Sequence, residues 1–302
     1  MIEQYAKAHE EARKRFLAEP SKCYQRHIRE VWAEWEPHIP IASLKEAKVE
    51  QITRSEAESI ILKYEWLAGV GTAAPMGRGI SAYYGLKLNG GLLGASCWGR
   101  MGGAVGNICG EEFSKQTVCL MRGACVAWAD TTHVDSKGQT HTGAAASAFT
   151  SRACKQAYKD FGWEIMFAYS DTTDAGEMGT VYQACNWYYL GEGIGSNVHT
   201  DFLSPDKKRR ITSYQLNHQG EEYPLMRSLG WTPEDGEMRP WLDLKGWTRI
   251  VSPVKKKWAW FEGSRKEFLK SKCRHPFLPY PKRSAPCTSP FVTQPQIGNE
   301  GD

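Results

Sequence analysis

The chain lacks the short motifs that mark most cofactor enzymes. Its 302 residues contain no G-x-G-x-x-G fingerprint, no Walker loop, no G-x-S-x-G nucleophile elbow and no H-x-x-x-H pair. The sequence therefore gives no support to a dinucleotide enzyme, a P-loop NTPase or an α/β-hydrolase. It also gives no support to a metal centre held by local spacing, whereas one assembled across the fold remains open.

Disulfide staples and membrane segments are missing as well. The nine cysteines are odd in number and include no C-x-x-C pair, so we interpret them as buried, reduced thiols of an intracellular protein. No apolar run approaches the length of a bilayer span, and the charged N-terminus does not resemble a signal peptide. We expect a cytoplasmic protein that makes no membrane contact.

Aromatic residues and a local excess of positive charge are abundant instead. The chain carries 12 Trp and 13 Tyr, side chains that stack well on planar ligands. Its formal net charge is only +4, but residues 245–283 hold 12 basic and 2 acidic residues. Because aromatics interleave with these basic residues in "KKKWAWFEGSRK", we predict a nucleic-acid contact rather than a solvated strand edge. The predicted contacts are Arg209, Arg210, Lys255, Lys256 and Lys257.

The order of predicted elements is that of an α/β domain built round one sheet. Residues 1–40 have the charge pattern of helices, and a further helix is indicated in "RSEAESIILKYEW", where Ser55 and Glu58 fit a capping box. Two strand-like runs on either side of Asn89-Gly90 predict a hairpin. Helices and strands that alternate in this way predict a sheet flanked by helices.

A helix between two strands follows the hairpin. Strands are predicted in 117–129 and 163–171, and the helix between them has one apolar face. That face comprises Ala145, Phe149, Ala153, Ala157 and Phe161. Beyond residue 195 the sequence breaks into charged, strand-like pieces such as "KKRRITSYQL". We therefore predict a helical preface (1–50), a catalytic core (51–195), a basic strand-rich extension (196–283) and a disordered tail (284–302).

Three local patterns indicate a site. A small-residue junction at Gly143, Ala144 and Ala145 opens the central helix, where exposed backbone N–H groups can hold a phosphate; close packing of the alanines is the alternative. Asp171 ends a buried strand, the usual position of ligand-binding groups in open α/β sheets; a loop acid that caps the next helix is the alternative, and Asp174 and Glu177 compete with Asp171 for the site role. The stretch "GTVYQACNWYYLG" predicts a helix with Tyr182, Asn186 and Tyr189 on one face, which favours a lined pocket over plain core.

These residues resemble those of a known family. The segment "AYSD…GEMGTVYQACNWYYLG" is similar to the pattern Y-A-D…G-T-I-Y-Q-A-x-N-W-x-Y-x-G of phage Mu Mom-like DNA-modification proteins. "GAAASAFTSRACK", "KYEWLAGVG" and "AYYGLKLNGGLLGASCWG" resemble other parts of the same family. The resemblance covers roughly residues 55–195 and departs from the pattern in "YSD" and in the long polar loop 130–142.

The resemblance implies a GNAT-like fold: a mixed central sheet flanked by helices, here with an N-terminal helical preface and a basic C-terminal extension. It also implies a phage-encoded enzyme of the bacterial cytoplasm that places a methylcarbamoyl or related acyl-type group on the exocyclic amine of adenine in DNA, against host restriction. By position, Ser147, Asp171 and Tyr182 match the family's functional serine, aspartate and tyrosine. We expect Asn186, Trp187 and Tyr189 to bind the substrate.

The expected partners are DNA and a small-molecule group donor, with a homodimer left open. For the donor the resemblance implies two alternatives, acyl-coenzyme A and chemistry at iron, and no metal ligands are evident in the sequence. Two other functions stay open: an acyltransferase that modifies RNA or a protein amine, and a nucleic-acid-binding protein without catalysis. The second alternative would tolerate changes at Asp171 and Tyr182, which a DNA-modifying enzyme would not.

Overall fold

A computed structural model describes most of the chain: residues 2–19, 22–35, 43–65, 79–100, 105–126, 131–134, 140–143, 145–171, 176–192, 200–206, 210–217, 222–251 and 255–282. The chain forms two compact units. The first comprises Met1–Gly193 and Lys255–Ser289, and the second comprises Ile194–Val254 and Pro290–Asp302. In the parts described, no helix has both the length and the apolar character needed to cross a bilayer.

The first unit is built on a seven-stranded sheet. In chain order its strands are β1 (Lys48–Gln51), β2 (Ile80–Leu88), β3 (Gly91–Gly99), β4 (Thr117–Cys125), β7 (Ile165–Asp171), β8 (Tyr188–Glu192) and β12 (Lys255–Phe261). The spatial order is β1-β2-β3-β4-β7-β12-β8. All neighbours are antiparallel except β4 and β7, which run parallel. The strand β12 thus comes from far along the chain to lie inside the sheet.

Local sequence explains the hairpin β2–β3. Asn89 and Gly90 have φ values of 50° and 80°, the left-handed conformation that a two-residue hairpin turn of type I′ requires. The predicted hairpin is confirmed, as are strands at 117–125 and 165–171. Two short strands, β5 (Thr131–Val134) and β6 (Thr140–Gly143), form a separate antiparallel pair between β4 and the central helix.

Helices cover both faces of the sheet. They are α1 (Ile2–Ala18), α2 (Tyr24–Trp35), α3 (Arg54–Tyr64), α4 (Gly106–Cys109), α5 (Ala145–Phe161), α6 (Thr180–Ala184) and α10 (Lys266–Ser271), with a 3₁₀ turn at Glu111–Gln116. Apolar side chains of α1, α2, α3 and α5 share one core with the sheet, while α4 and α10 pack on the opposite face. Successive residues of β7 alternate between the two cores: Met166 and Ala168 lie in the first, and Ile165 and Phe167 in the second.

The predicted α/β fold class, a mixed central sheet flanked by helices, is confirmed, and two details of the helices are corrected. The capping box of α3 is formed by Thr53 and Glu56 rather than Ser55 and Glu58. On α5 the predicted apolar face is buried up to Ala157, but Phe161 is 44% exposed. The helix ends at Phe161, and the Phe161 ring stacks on that of Trp163 with centroids 4.4 Å apart.

The second unit is a small sheet with its own core. The strands β9 (Thr200–Leu203), β10 (Arg210–Ile211) and β11 (Thr248–Val251) pair in the order β10-β9-β11. The helices are α7 (Ser213–Asn217), α8 (Pro224–Arg227) and α9 (Met238–Leu244), with a 3₁₀ turn at Pro233–Asp235. Phe202, Trp231 and Trp241 contribute the largest side chains to this core. The strand predicted for "KKRRITSYQL" is corrected: of its described residues, 210–216, Arg210 and Ile211 form a strand, and the helix α7 begins at Ser213.

Candidate active site

The parallel pair β4–β7 opens into a wedge. Its ladder runs from Thr117↔Ile165 to Leu120↔Ala168, yet β4 continues to Cys125 and β7 to Asp171. At the point of divergence the register of β3 against β4 shifts, so that Met121 is an extra, bulged residue. Bulges of this kind bend a strand and are enriched beside active sites. Beyond Leu120 the two strands therefore present facing backbone edges that do not pair with each other within the described ladder.

Three carboxylates lie near the wide end of this wedge. Asp171 is the last residue of β7 and is 5% exposed. Its carbonyl oxygen accepts a hydrogen bond of 2.7 Å from the backbone N–H of Glu177. Glu177 supplies the second carboxylate. The third belongs to Glu65, which directly follows α3 and is also buried. The guanidinium of Arg122 on β4 lies 3.7 Å from a Glu65 carboxylate oxygen. Two elements and a loop that are distant in sequence thus bring three acids together.

This arrangement changes the acidity of Glu177. The residue as a whole is half-buried, while burial of its carboxyl group, assisted by the negative charges of Glu65 and Asp171, raises its pKa to about 8; Lys255 opposes the rise. Since a carboxylic acid ordinarily has a pKa near 4.3, Glu177 holds a proton at neutral pH. Groups with a pKa close to the working pH are the ones suited to proton transfer.

Tyr182, which belongs to α6, lies near the same acids. Burial of its hydroxyl, together with the charge of Glu177, raises its pKa well above the ordinary value, so it is a neutral O–H donor at all physiological pH values. Its ring lies 5.6 Å from that of Trp258 and 5.1 Å from that of Trp187. The loop before α6 reaches this position through Gly179, whose φ is 71° and whose backbone rests against the Trp258 ring. Any other residue would bring a Cβ atom against the Trp258 ring.

An aromatic cluster adjoins Tyr182 at the β8 end of the sheet. Trp258 is fully buried and donates a hydrogen bond of 3.0 Å from its indole N–H to the hydroxyl of Ser170. The ring of Tyr189 lies 5.0 Å from that of Trp258, and the ring of Tyr280 lies 6.0 Å from it. Tyr280 is 41% exposed. It belongs to residues 273–282, the C-terminal strap, which is joined to β8 by a 2.9 Å hydrogen bond from Leu278 N–H to the Tyr189 carbonyl.

The predicted face of Tyr182, Asn186 and Tyr189 is wrong. The helix is only five residues long and ends before Asn186, which is exposed and has a φ of 60°. Tyr189 follows in β8. The two tyrosines nevertheless contact the same tryptophan, Trp258. Trp187 is fully buried, and its indole N–H has no hydrogen-bond partner within the described part of the chain.

The proposed donor-binding junction is described only in part. Ala144 lies outside the described residues, Gly143 ends β6, and Ala145 is the buried first residue of α5. Ser147 is half-buried in the first turn of α5, and its carbonyl oxygen accepts a hydrogen bond of 3.1 Å from the Cys185 thiol. That bond ties the start of α5 to the end of α6, the helix that carries Tyr182.

The predicted nucleic-acid residues occupy four different environments. Lys255 is exposed and is the register partner of Asp171. Lys256 is buried and paired with Glu192. Lys257 is buried, with its ammonium nitrogen 3.2 Å from Nε2 of His275. Arg210 pairs with buried Asp201 inside the second unit. Arg209 falls outside the described residues. Of the three lysines, Lys255 alone keeps the exposure that a direct phosphate contact needs.

A metal site does not emerge from the side chains described. Within those ranges, no three or more His, Cys, Asp or Glu residues are arranged to bind an ion. By themselves, the acids at the wedge, Glu65, Asp171 and Glu177, do not form such a group. The negative charges of Glu65 and Asp171 add to the effect of burial in raising the pKa of Glu177.

Comparisons with known proteins place this geometry in context. The model of the Mom protein family matches residues 46–227, more than half of the chain. Comparison with curated protein sequences gives no match. Among solved structures, an acetyltransferase of Bacillus subtilis in complex with CoA is 12% identical, with a TM-score of 0.33, over 72% of this chain and 99% of its own. An IAA acetyltransferase from Bacillus cereus is 14% identical, with a TM-score of 0.29 and the same coverage.

Proposed function

Since the chain belongs to the Mom protein family, we propose that it transfers a methylcarbamoyl or related acyl-type group to the exocyclic amine of adenine in DNA. The observation that carries the proposal is the meeting of Asp171, Glu177 and Tyr182 at the wide end of the β4–β7 wedge. A donor with amide groups along an extended arm, such as an acyl-coenzyme A, suits this wedge because such an arm can pair with strand edges as a peptide does.

The acids of the site could supply the base that this chemistry requires. The lone pair of an exocyclic adenine amine is delocalised into the ring, so the nitrogen attacks a carbonyl carbon only if a base removes a proton during the attack. Glu177 is suited to that role because its pKa of about 8 leaves roughly a tenth of the molecules ionised at pH 7, and this ionised form is a stronger base than an ordinary carboxylate. Asp171 then orients the amine. The Tyr182 hydroxyl, which remains protonated, donates a hydrogen bond to the developing oxyanion.

The aromatic cluster and the strap supply a surface for the base and its backbone. An enzyme that modifies a base must take it out of the stack and hold it by stacking. Tyr280 is the exposed ring of the cluster around Trp258. Lys272 and Arg274 are exposed eight and six residues before it in the chain, and Lys255 is exposed beside Asp171. We assign phosphate contact to these three cations.

Mass spectrometry of nucleosides tests the proposal directly. Plasmid DNA from bacteria that express the chain should contain a heavier deoxyadenosine whose added mass identifies the transferred group. Glu177→Gln and Tyr182→Phe should lower its yield, by roughly 100-fold or more for the loss of a general base. Tyr188→Phe is the matched control, because Tyr188 lies in the same segment but packs against Phe277 on the other face.

Two outcomes would redirect the proposal. Unmodified DNA together with a modified nucleoside in total RNA, or an acylated lysine in cellular protein, would assign the same chemistry to a different amine. Unmodified DNA, RNA and protein, with DNA binding that survives Glu177→Gln, would assign the chain to binding without catalysis.

A further inference from the structure

A pair of cysteines lies outside the wedge, where the strap begins. Cys109 ends α4, and Cys273 follows α10. Two contacts hold these segments together: the N–H of Arg274 donates a 2.8 Å hydrogen bond to the carbonyl of Ile108, and Nε2 of His275 lies 3.0 Å from the carbonyl oxygen of Asn107. A disulfide needs Cα atoms about 4.4–6.8 Å apart, and the backbone hydrogen bond between the neighbouring residues Arg274 and Ile108 favours such a separation.

The two thiols interact and differ in exposure. Both are reduced; Cys109 is buried and Cys273 is partly exposed. The Cys109 thiol is a hydrogen-bond partner of Cys273, and its sulfur also lies 3.6 Å from the carbonyl oxygen of Leu269. Cys273 is thus the sulfur that a reagent in solution reaches first, with Cys109 directly behind it.

The surroundings of Cys273 favour its thiolate. The hydrogen bond from Cys109 lowers the pKa of Cys273, and the backbone at His275 and the positive charge of Lys257 lower it further against the opposing effect of burial. Lys257 is fixed by its 3.2 Å contact with Nε2 of His275. A thiolate, not a thiol, is the nucleophile in thiol oxidation and disulfide exchange.

We propose that Cys109 and Cys273 form a reversible disulfide, with Cys273 as the attacking thiolate and hydrogen peroxide as the oxidant. The Cys273 sulfur attacks one peroxide oxygen, the O–O bond breaks, and the leaving oxygen takes up a proton as water, which leaves a sulfenic acid. The Cys109 sulfur then attacks that sulfur, the S–O bond breaks and a second water leaves. Two thiols lose two electrons and two protons, and hydrogen peroxide becomes two waters.

The disulfide would tether the start of the strap to α4. The strap also pairs with β8 at Leu278 and brings Tyr280 to Trp258. Oxidation would therefore restrain the segment that adjoins the aromatic cluster. This inference stands apart from the proposed group transfer, since it concerns residues on the face opposite to Trp258.

The experiment treats the full-length folded protein with hydrogen peroxide and maps its peptides without reduction. We expect a product lighter by two hydrogen atoms, a cross-link between the peptides of Cys109 and Cys273, and its loss on adding dithiothreitol. Cys109→Ser should stop at a Cys273 sulfenic acid that dimedone traps, and Cys23→Ser, which removes another partly exposed cysteine, should leave the cross-link intact.

A rate measurement keeps the proposal testable if a variant fails to fold. In the unmodified chain at neutral pH, an alkylating reagent should label Cys273 faster than Cys23, by on the order of fivefold once the lower nucleophilicity of a more acidic thiol is included. Labelling of Cys273 no faster than Cys23, or oxidation that links Cys273 to other cysteines as often as to Cys109, would overturn the proposal.

Discussion

Replacing Glu177 with Gln probes the candidate site without any assumption about its substrate. Glutamine has the shape of the protonated acid that the fold holds at neutral pH, but it cannot lose a proton. The pKa of Glu177 is about 8 in the folded protein and about 4.3 in an unfolded chain. Between these two values the folded state binds one proton more than the unfolded state.

The sign of the effect follows from that difference. A carboxyl group whose folded pKa is raised contributes its full stability below the unfolded pKa and loses it as the pH rises through the folded pKa. The free energy of unfolding of the natural chain should therefore fall by at most about 1.4 kcal/mol per pH unit between about pH 4.5 and pH 8 because of this residue. In Glu177→Gln this contribution is absent, so the variant should gain stability relative to the natural chain across that window.

Two measurements check the prediction. Urea unfolding of both proteins at a series of pH values gives the difference in free energy, and carbon NMR of labelled glutamate side chains gives the pKa itself. Glu34→Gln is the control: Arg15 lowers the pKa of the exposed Glu34, so this variant should show no pH-dependent difference above about pH 5. Asp171→Asn should lower the pKa of Glu177, since the Asp171 charge raises it. A difference between Glu177→Gln and the natural chain that does not vary with pH would refute the reasoning.

Two further predictions concern stability in each unit. At Gly179 an added Cβ would lie 2.3 Å from a Trp258 ring atom, whereas at Gly162, where φ is 66°, it would meet nothing within 4 Å. Both Ala variants cost about 1 kcal/mol for a left-handed backbone, and Gly179→Ala should cost roughly 1–3 kcal/mol more by overpacking, measured by urea unfolding; equal losses would contradict this. In the second unit, Asp201→Ala leaves the Arg210 guanidinium without the Asp201 carboxylate that it pairs with, so hydrogen exchange should rise in 200–217 by the equivalent of about 3–5 kcal/mol, and unchanged exchange would contradict it.

Much of the fold was predictable because its signals are local. The Asn89-Gly90 turn needs only the two residues whose φ is positive, and β7 is a continuous apolar run that ends in a carboxylate. The order of the sheet was not predictable in the same way. β12 lies between β7 and β8, although more than 60 residues separate it from β8 along the chain. Nothing in the local pattern of "KKKWAWF" indicates which strands it joins.

Residues of the candidate site could be predicted where the local sequence around them was sufficient to select them. Asp171 and Tyr182 could be selected from the sequence, since the first ends a buried strand and the second lies in a segment with family resemblance. Glu65 could not be selected, because its burial depends on α3 meeting β4. The importance of Glu177 depends in turn on Glu65 and Asp171. Charges that become neighbours only through tertiary structure leave no spacing in the sequence.

The three adjacent lysines show why a count of charges along the chain does not predict a surface. Side chains of successive residues in a strand point to opposite faces. In β12 this sends Lys256 towards Glu192 and Lys257 towards His275, and both are buried. Their charges are therefore used inside the protein, the second of them beside Cys273. Lys255 differs because it begins the strand and stays exposed next to Asp171. A basic run predicts a nucleic-acid contact only for the positions that the strand's alternation and its place in the sheet leave in solvent.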